Sequence, residues 1–295
     1  VGSIHGADTI QFFQLRRSVG GCEKFHGAVI AHVGTNNTRV FREVKQLGEE
    51  LERLGTSTLG SVNKADVGIV FDWDNYWALE YTSGPTEDLT YVEQIHQYYK
   101  YFYDKNIGVN MIPFDADFSK YKVVVAPVLY MIKEGMKEAL TEFVKNGGVL
   151  ITTFMSGLVD QSDNVYLGGY PGPLKEMAGV WVEEIDALAP EYMNKVTFAD
   201  GTEVPCNLLC DVMHLEGAEC LATYAEDFYA GTPAVTKNQF GKGYAYSRCN
   251  RGADRRSKES DEGKAEEKEG TKEYKDTTDE KRDYKIVILY NENSF

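Results

Sequence analysis

The chain has 295 residues, a 42% hydrophobic fraction and a formal net charge of −15. That length suggests about two domains, and the apolar fraction is enough to build their cores. The acidic balance argues against a nucleic-acid partner and against an anionic membrane surface, both of which call for a basic face. An uncharged ligand is compatible with it.

In chain order, residues 1–60 read as one unit. Thr9-Ile10-Gln11-Phe12-Phe13-Gln14-Leu15 has the composition of a short strand, and a glycine-bearing loop follows. Val40, Val44, Leu47, Leu51 and Leu54 recur at helical spacing and predict an amphipathic helix over 38–54. One strand and one helix cannot bury a core alone, so this unit calls for a sheet or barrel beyond itself. Val1 sits at the approach to a strand, which suggests that the native N-terminus lies further upstream.

Residues 66–160 alternate between strand and helix signals. Val67-Gly68-Ile69-Val70-Phe71, Val109-Asn110-Met111-Ile112, Val123-Val124-Val125-Ala126-Pro127 and Val149-Leu150-Ile151-Thr152-Thr153-Phe154 read as buried strands. Between them, Val92, Ile95, Tyr99 and Phe102 mark a helix. Ile132, Met136, Leu140 and Phe143 mark another, stopped at Asn146-Gly147-Gly148. Apolar strands alternating with helices imply a parallel sheet covered on both faces. Residues 161–246 continue the domain as loops and shorter strands. Residues 251–285 are about two-thirds charged with mixed signs, a disorder signature. Residues 286–295 contain an orphan strand pattern, Ile286-Val287-Ile288-Leu289-Tyr290.

Cys22, Cys206, Cys210, Cys220 and Cys249 are odd in number and not spaced like a stapled domain. They read as free thiols in a reducing, cytoplasmic compartment. No apolar run reaches transmembrane length. Cys206, Cys210, His214 and Cys220 lack the Cys-x-x-Cys knuckle of a zinc site, so no metal and no cofactor is expected. Trp73, Trp77 and Trp181 are candidates to stack on a ligand. Trp73 and Trp77 follow a strand end, where ligand crevices form, and read as rim or interface residues. The tyrosines at 98, 99 and 103 read as packing.

Several ordered motifs carry a family resemblance. Gly6-Ala7-Asp8-Thr9-Ile10-Gln11-Phe12-Phe13-Gln14, Arg16, and Gly21-Cys22-Glu23-Lys24-Phe25-His26-Gly27 come first. Thr38-Arg39-Val40-Phe41-Arg42-Glu43, Phe71-Asp72-Trp73 with Trp77, Ala126-Pro127-Val128-Leu129-Tyr130 and Ser156-Gly157-Leu158-Val159-Asp160 follow. Leu167-Gly168-Gly169-Tyr170-Pro171-Gly172 and Tyr229-Ala230-Gly231-Thr232-Pro233-Ala234-Val235-Thr236 complete the series. Together they resemble the C-terminal part of the glycoside hydrolase family 42 β-galactosidases over about residues 1–246. The resemblance implies an α/β chain: the last strand-helix unit of a (β/α)8 catalytic barrel in 1–60, then a trimerisation domain in 66–246. That second domain is Rossmann-like, with the parallel sheet of class I glutamine amidotransferases. Residues 251–285 would be a disordered charged tail, and 286–295 a remnant of a C-terminal β domain. A truncation, a low-complexity insertion or a sequence error would each explain the tail.

The resemblance also implies a retaining enzyme that hydrolyses terminal non-reducing β-D-galactose from β-galactosides and works as a homotrimer. Such enzymes need two carboxylates about 5 Å apart. In the family both lie upstream of Val1, so no catalytic residue is assigned here. Glu23 and His26, in the loop after the strand ending near Leu15, are implied to bind galactose hydroxyls. A carboxylate accepts hydrogen bonds from hydroxyls, and an imidazole can donate or accept. The family usually carries tryptophan where Leu15 stands. An amidotransferase reading lacks its nucleophile, since the turn after 149–154 is Met155-Ser156-Gly157. The alternative to a β-galactosidase part is a non-catalytic oligomerisation or binding module.

Overall fold

A computed structural model describes residues 9–57, 59–62, 64–248 and 250–252. The motif residues at 6–8, Cys249, the charged tail from residue 253 and the remnant at 286–295 lie outside the described residues, while residues 251 and 252, expected in the tail, pair as a strand with residues 206–207. The chain divides into two compact units, Val1–Lys64 and Ala65–Phe295.

In the first unit, helix α1 spans Arg39–Leu54. Thr38 caps it by accepting from the Phe41 N–H at 3.3 Å, and Gly55, at φ 56°, stops it. The expected apolar stripe forms but stays uncovered. Val44, Leu47 and Leu51 are half-buried, Val40 and Leu54 are exposed, and no residue of α1 is buried. The strand expected over residues 9–15 does not form. A strand exists only through its partners. Here the pairing is a short zipper of residues 14–17 against 27–30, with one isolated parallel bridge between Arg16 and Ile30.

The second unit is built on an 11-stranded mixed sheet. Its parallel half contains β1 (Val67–Val70), β2 (Val109–Ile112), β3 (Val123–Ala126) and β5 (Val149–Thr153), as expected. The order β2-β1-β3-β5 is parallel throughout. Side chains alternate between two cores. Val123 and Val125 pack with Ile69, Tyr91 and Phe102 on one face. Val124 and Ala126 pack with Leu140, Phe143 and Leu150 on the other. Helices α2 (Trp73–Tyr81), α3 (Tyr91–Asp104) and α4 (Met136–Lys145) cover them. Two details differ from the sequence reading. Ile132 belongs to a short strand β4 (Met131–Ile132), paired with β6 (Val159–Asp160), and not to α4. Tyr99 lies on the outer side of α3, where its ring stacks on Tyr103 at 5.9 Å.

The antiparallel half corrects the expectation of loops and shorter strands. After α5 (Lys175–Ala178) come β7 (Val180–Ala187), β8 (Asn194–Phe198), β9 (Glu203–Leu215), β10 (Glu219–Tyr224), β11 (Pro233–Phe240), β12 (Gly243–Arg248) and β13 (Asn250–Gly252). Strand β9 alone has 13 residues and pairs with β7, β8 and β13. Strand β12 lies parallel to β5 and antiparallel to β11, joining the two halves into one sheet.

Candidate functional site

The loop that carries Glu23 and His26 is closed at its base by main-chain bonds. Val29 N–H donates to the Gln14 carbonyl at 3.0 Å, Ile30 N–H to Leu15 at 2.8 Å, and Arg17 N–H to Ile30 at 3.0 Å. Arg16 and Arg17 therefore take part in loop pairing through their backbones. At the tip, a 3-10 turn over Cys22–Phe25 ends with His26 N–H donating to the Glu23 carbonyl at 2.9 Å. Glu23 lies within the turn, and His26 is the extended residue that closes it. Both are exposed. The His26 ring meets the edge of Phe13 at 6.2 Å between centroids. An exposed carboxylate and an exposed imidazole on one loop, the imidazole flanked by an exposed phenyl ring, are groups that can hydrogen-bond hydroxyls. Leu15 is also exposed.

Trp73 and Trp77 stand one turn apart on α2. They are 58% and 50% exposed, with ring centroids 5.9 Å apart. Trp73 also packs edge-on against Phe71 at 5.0 Å. Its two neighbours are pinned. Lys133 Nζ lies 2.6 Å from Asp72 Oδ1 and 2.5 Å from Asp74 Oδ2, and 4.2 Å above the Phe114 ring. Burial works to lower the Lys133 pKa, but the two carboxylates outweigh it and raise it. Trp181, by contrast, is covered on one face by His214, whose ring stacks on it at 4.2 Å.

In doubly wound sheets, ligands bind outside the carboxyl ends of the parallel strands. Here that region is filled by the chain's own polar groups. The buried Asn75 amide donates to the Val128 carbonyl at 2.9 Å, and its oxygen accepts from Met131 N–H at 2.9 Å. Thr153 Oγ1 accepts from Val128 N–H at 2.7 Å, and Ser156 Oγ from Leu129 N–H at 3.3 Å. Asp211, from β9, accepts from Met155 N–H at 3.3 Å. Met155 itself is buried and left-handed at φ 56°. The turn has the left-handed residue of a nucleophile elbow but leads into β6 and not into a helix, and an inert thioether occupies it.

The described cysteines and His214 have protein partners or lie apart. Cys206 and Cys210 are buried in β9, and the thiol of Cys206 is pushed up mainly by its hydrogen bond to Cys210 and by burial. His214 pairs with Glu183 at 2.5 Å, and the Cys220 thiol donates to the Ala222 carbonyl at 3.4 Å. Among the described residues no group of three or more His, Cys, Asp or Glu side chains is arranged to hold a metal ion. Cys22, Cys206, Cys210 and Cys220 are free thiols.

Sequence reasoning passed over Asn75, Lys133 and Asp211. The partners of the first two are remote in sequence and leave no spacing signal. Asp211 did leave one: a lone acid in the run Leu208-Leu209-Cys210-Asp211-Val212-Met213.

The model of the β-galactosidase trimerisation domain matches residues 65–255, and that of the β-galactosidase domain matches residues 3–54. The chain belongs to the glycoside hydrolase family 42 β-galactosidases. A β-galactosidase of Lactobacillus acidophilus is 56% identical over 242 residues, covering 82% of this chain and 36% of the relative. One from Clostridium perfringens is 51% identical over 249 residues, again covering 82% of this chain and 36% of the relative. The crystal structure of the β-galactosidase from Bacillus circulans sp. alkalophilus superposes with a TM-score of 0.81 at 50% identity, over 84% of this chain and 37% of that one. The chain thus spans just over a third of the length of the curated family members it matches. No helix among the described residues is long and apolar enough to cross a membrane.

Proposed function

We propose that this chain is the C-terminal part of a retaining β-galactosidase that removes terminal non-reducing β-D-galactose from β-galactosides in the cytoplasm. The observation that carries this reading is the order of the two family matches on one chain, residues 3–54 and then 65–255. Residues 1–60 are the end of the catalytic barrel and contribute Glu23 and His26 to galactose binding. The exposed carboxylate and imidazole at one turn support that role. Both catalytic glutamates lie upstream, so this chain alone does not complete the double displacement.

Residues 66–246 hold subunits in a homotrimer. Their parallel half follows the class I glutamine amidotransferase architecture, without its chemistry. The filled strand ends and the buried Met155 support a contact role, which is also the sense in which the reading as an oligomerisation module is favoured. Trp73 and Trp77 form a rim or subunit contact, because two exposed indoles on a pinned helix are a ready apolar surface.

The test is twofold. The purified chain should not hydrolyse an aryl β-galactoside. In the full-length parent, Glu23→Ala should lower kcat/KM by about ten- to a hundred-fold while leaving the fold intact, because sugar hydroxyls lose a charged acceptor. A folded Glu23→Ala parent with unchanged kcat/KM would refute the assignment.

A further inference from the structure

Strand β9 is broken by a bulge. Along β13, Asn250 pairs with Cys210, Arg251 with Asn207 and Gly252 with Cys206, so residues 250–252 face residues 206–210. Leu208, inside the bulge, is left-handed at φ 74°. Its carbonyl accepts from Leu188 N–H at 2.9 Å, which holds the bulge from the other edge of β9. In a regular strand, residues four apart are separated by about 13 Å. Here Cys206 and Cys210 stand opposite residues only two apart, which brings their Cα atoms to about 6.5 Å.

The two cysteines also share a face. Positions 250 and 252, two apart, lie on one face of β13, and directly opposed residues of an antiparallel pair share theirs. The other edge of β9 gives the same result. Asp186 of β7 stands opposite Cys210, and Asn194 of β8 opposite Cys206. Those two side chains meet at one atom. The Tyr229 hydroxyl donates to Asp186 Oδ2 at 2.6 Å, and Asn194 Nδ2 donates to the same hydroxyl oxygen at 3.3 Å. Cys206 and Cys210 are free thiols, and both are fully buried.

We propose that Cys206 and Cys210 are an oxidisable dithiol, which a small disulfide oxidant closes to an intrastrand disulfide across the β9 bulge. Disulfides join Cα atoms about 4.4–6.8 Å apart, and only the bulge brings this pair into that range. Cys220 is engaged elsewhere, its thiol donating to the Ala222 carbonyl. The chemistry is two exchanges. The thiolate of one cysteine attacks a sulfur of the oxidant, breaks its S–S bond and releases one small thiolate, leaving a mixed disulfide. The thiolate of the other cysteine attacks the protein sulfur of that mixed disulfide and releases the second. Two electrons pass to the oxidant, and the two cysteine protons end on the released thiols. Because both cysteines are buried, the reaction waits on local opening. Strand β13 ends the sheet, next to β9, so its release frees one edge of the bulge. Closure then pins the point at which β9 passes from β7 to β8.

The test equilibrates the whole chain with glutathione disulfide and glutathione at several ratios, both folded and in urea. Equilibrium is approached from the reduced chain and from chain oxidised in urea and refolded, so that slow access is not mistaken for lack of affinity. After acid quenching and alkylation, cleavage after Glu203 and Asp211 releases residues 204–211 as one peptide. From the folded chain that peptide should be unalkylated and lighter by two hydrogens, and reduction should restore two alkylation sites. The closure constant should be at least about ten-fold larger folded than in urea, because the bulge holds the thiols together beforehand. A folded closure constant no larger than that in urea would overturn the proposal. So would a stable mixed disulfide with glutathione, or pairing of either residue with Cys220 or another cysteine.

Discussion

Asn75 and Val128, 53 residues apart, are joined by a hydrogen bond of 2.9 Å from the Asn75 amide to the Val128 carbonyl. Val128 is a β-branched residue at φ 45°, which it does not adopt without constraint. The Asn75 oxygen simultaneously accepts from Met131 N–H. Asn75 thus fixes the backbone immediately after β3 from both sides.

Asn75→Ala should therefore destabilise the second unit by about 2–3 kcal/mol, since the Met131 N–H loses its acceptor in a buried place. Asn75→Asp should not rescue it, because a carboxylate cannot donate to Val128. Urea unfolding at neutral pH is the measurement. Equal midpoints for wild type and Asn75→Ala would show that the strand end is held by other contacts.

Lys133→Met should cost about 3 kcal/mol, because it leaves Asp72, 5% exposed, buried without its cation. Asp74, 56% exposed, stays solvated and contributes little to that loss. Adding Asp72→Asn to Lys133→Met should recover part of the stability. A double-mutant cycle on thermal unfolding reads the coupling, and additive losses would argue against the pair as a unit.

The parallel half was legible in the sequence for a physical reason. Strands buried on both faces read as unbroken apolar runs, and Val123-Val124-Val125 is such a run. The antiparallel half was not legible. Strand β9 contains Pro205, which argues against a strand, and Asp211, which argues against burial. Register shifts in its pairing with β7 further break the alternation. Residues 9–15 failed in the opposite sense: their composition favours a strand, but pairing depends on partners that composition does not reveal. Glu23 and His26 were visible only through the family resemblance, since a single Glu-x-x-His spacing is common. The expected charged tail begins two residues too early, at residues that end β13, and from 253 on it falls outside the described residues.

A polypeptide of residues 65–252 should fold alone and self-associate. Its sheet has both cores, whereas α1 leaves its apolar stripe uncovered, so omitting residues 1–64 removes a source of nonspecific association. Light scattering over a concentration series should give the mass of a trimer, with an interface typically above 1,000 Å². A folded monomer at high concentration would assign the subunit contacts to other parts of the parent. Trp73→Ala combined with Trp77→Ala should weaken the association if the indole pair is a subunit contact, and should leave it unchanged if the pair lines a substrate rim.

Asp211 makes a stability prediction whose sign can be worked out. Burial raises its pKa from 3.8 to about 7. Between those values the folded chain binds the proton more tightly than the unfolded chain does. Stability must then fall as pH rises from about 4 to about 7, and level off above. A gap of roughly three pH units corresponds to at most about 4 kcal/mol. Other groups also titrate in this range, so the informative quantity is the difference between wild type and Asp211→Asn. The asparagine keeps an oxygen for Met155 N–H and, like the protonated acid, carries no charge. Relative to wild type, Asp211→Asn should therefore gain stability as pH rises from 5 to 7, and the gain should plateau by pH 8. Urea midpoints at pH 5, 6, 7 and 8 measure it. A difference that stays constant across that series would mean that Asp211 is not proton-linked to folding in this window.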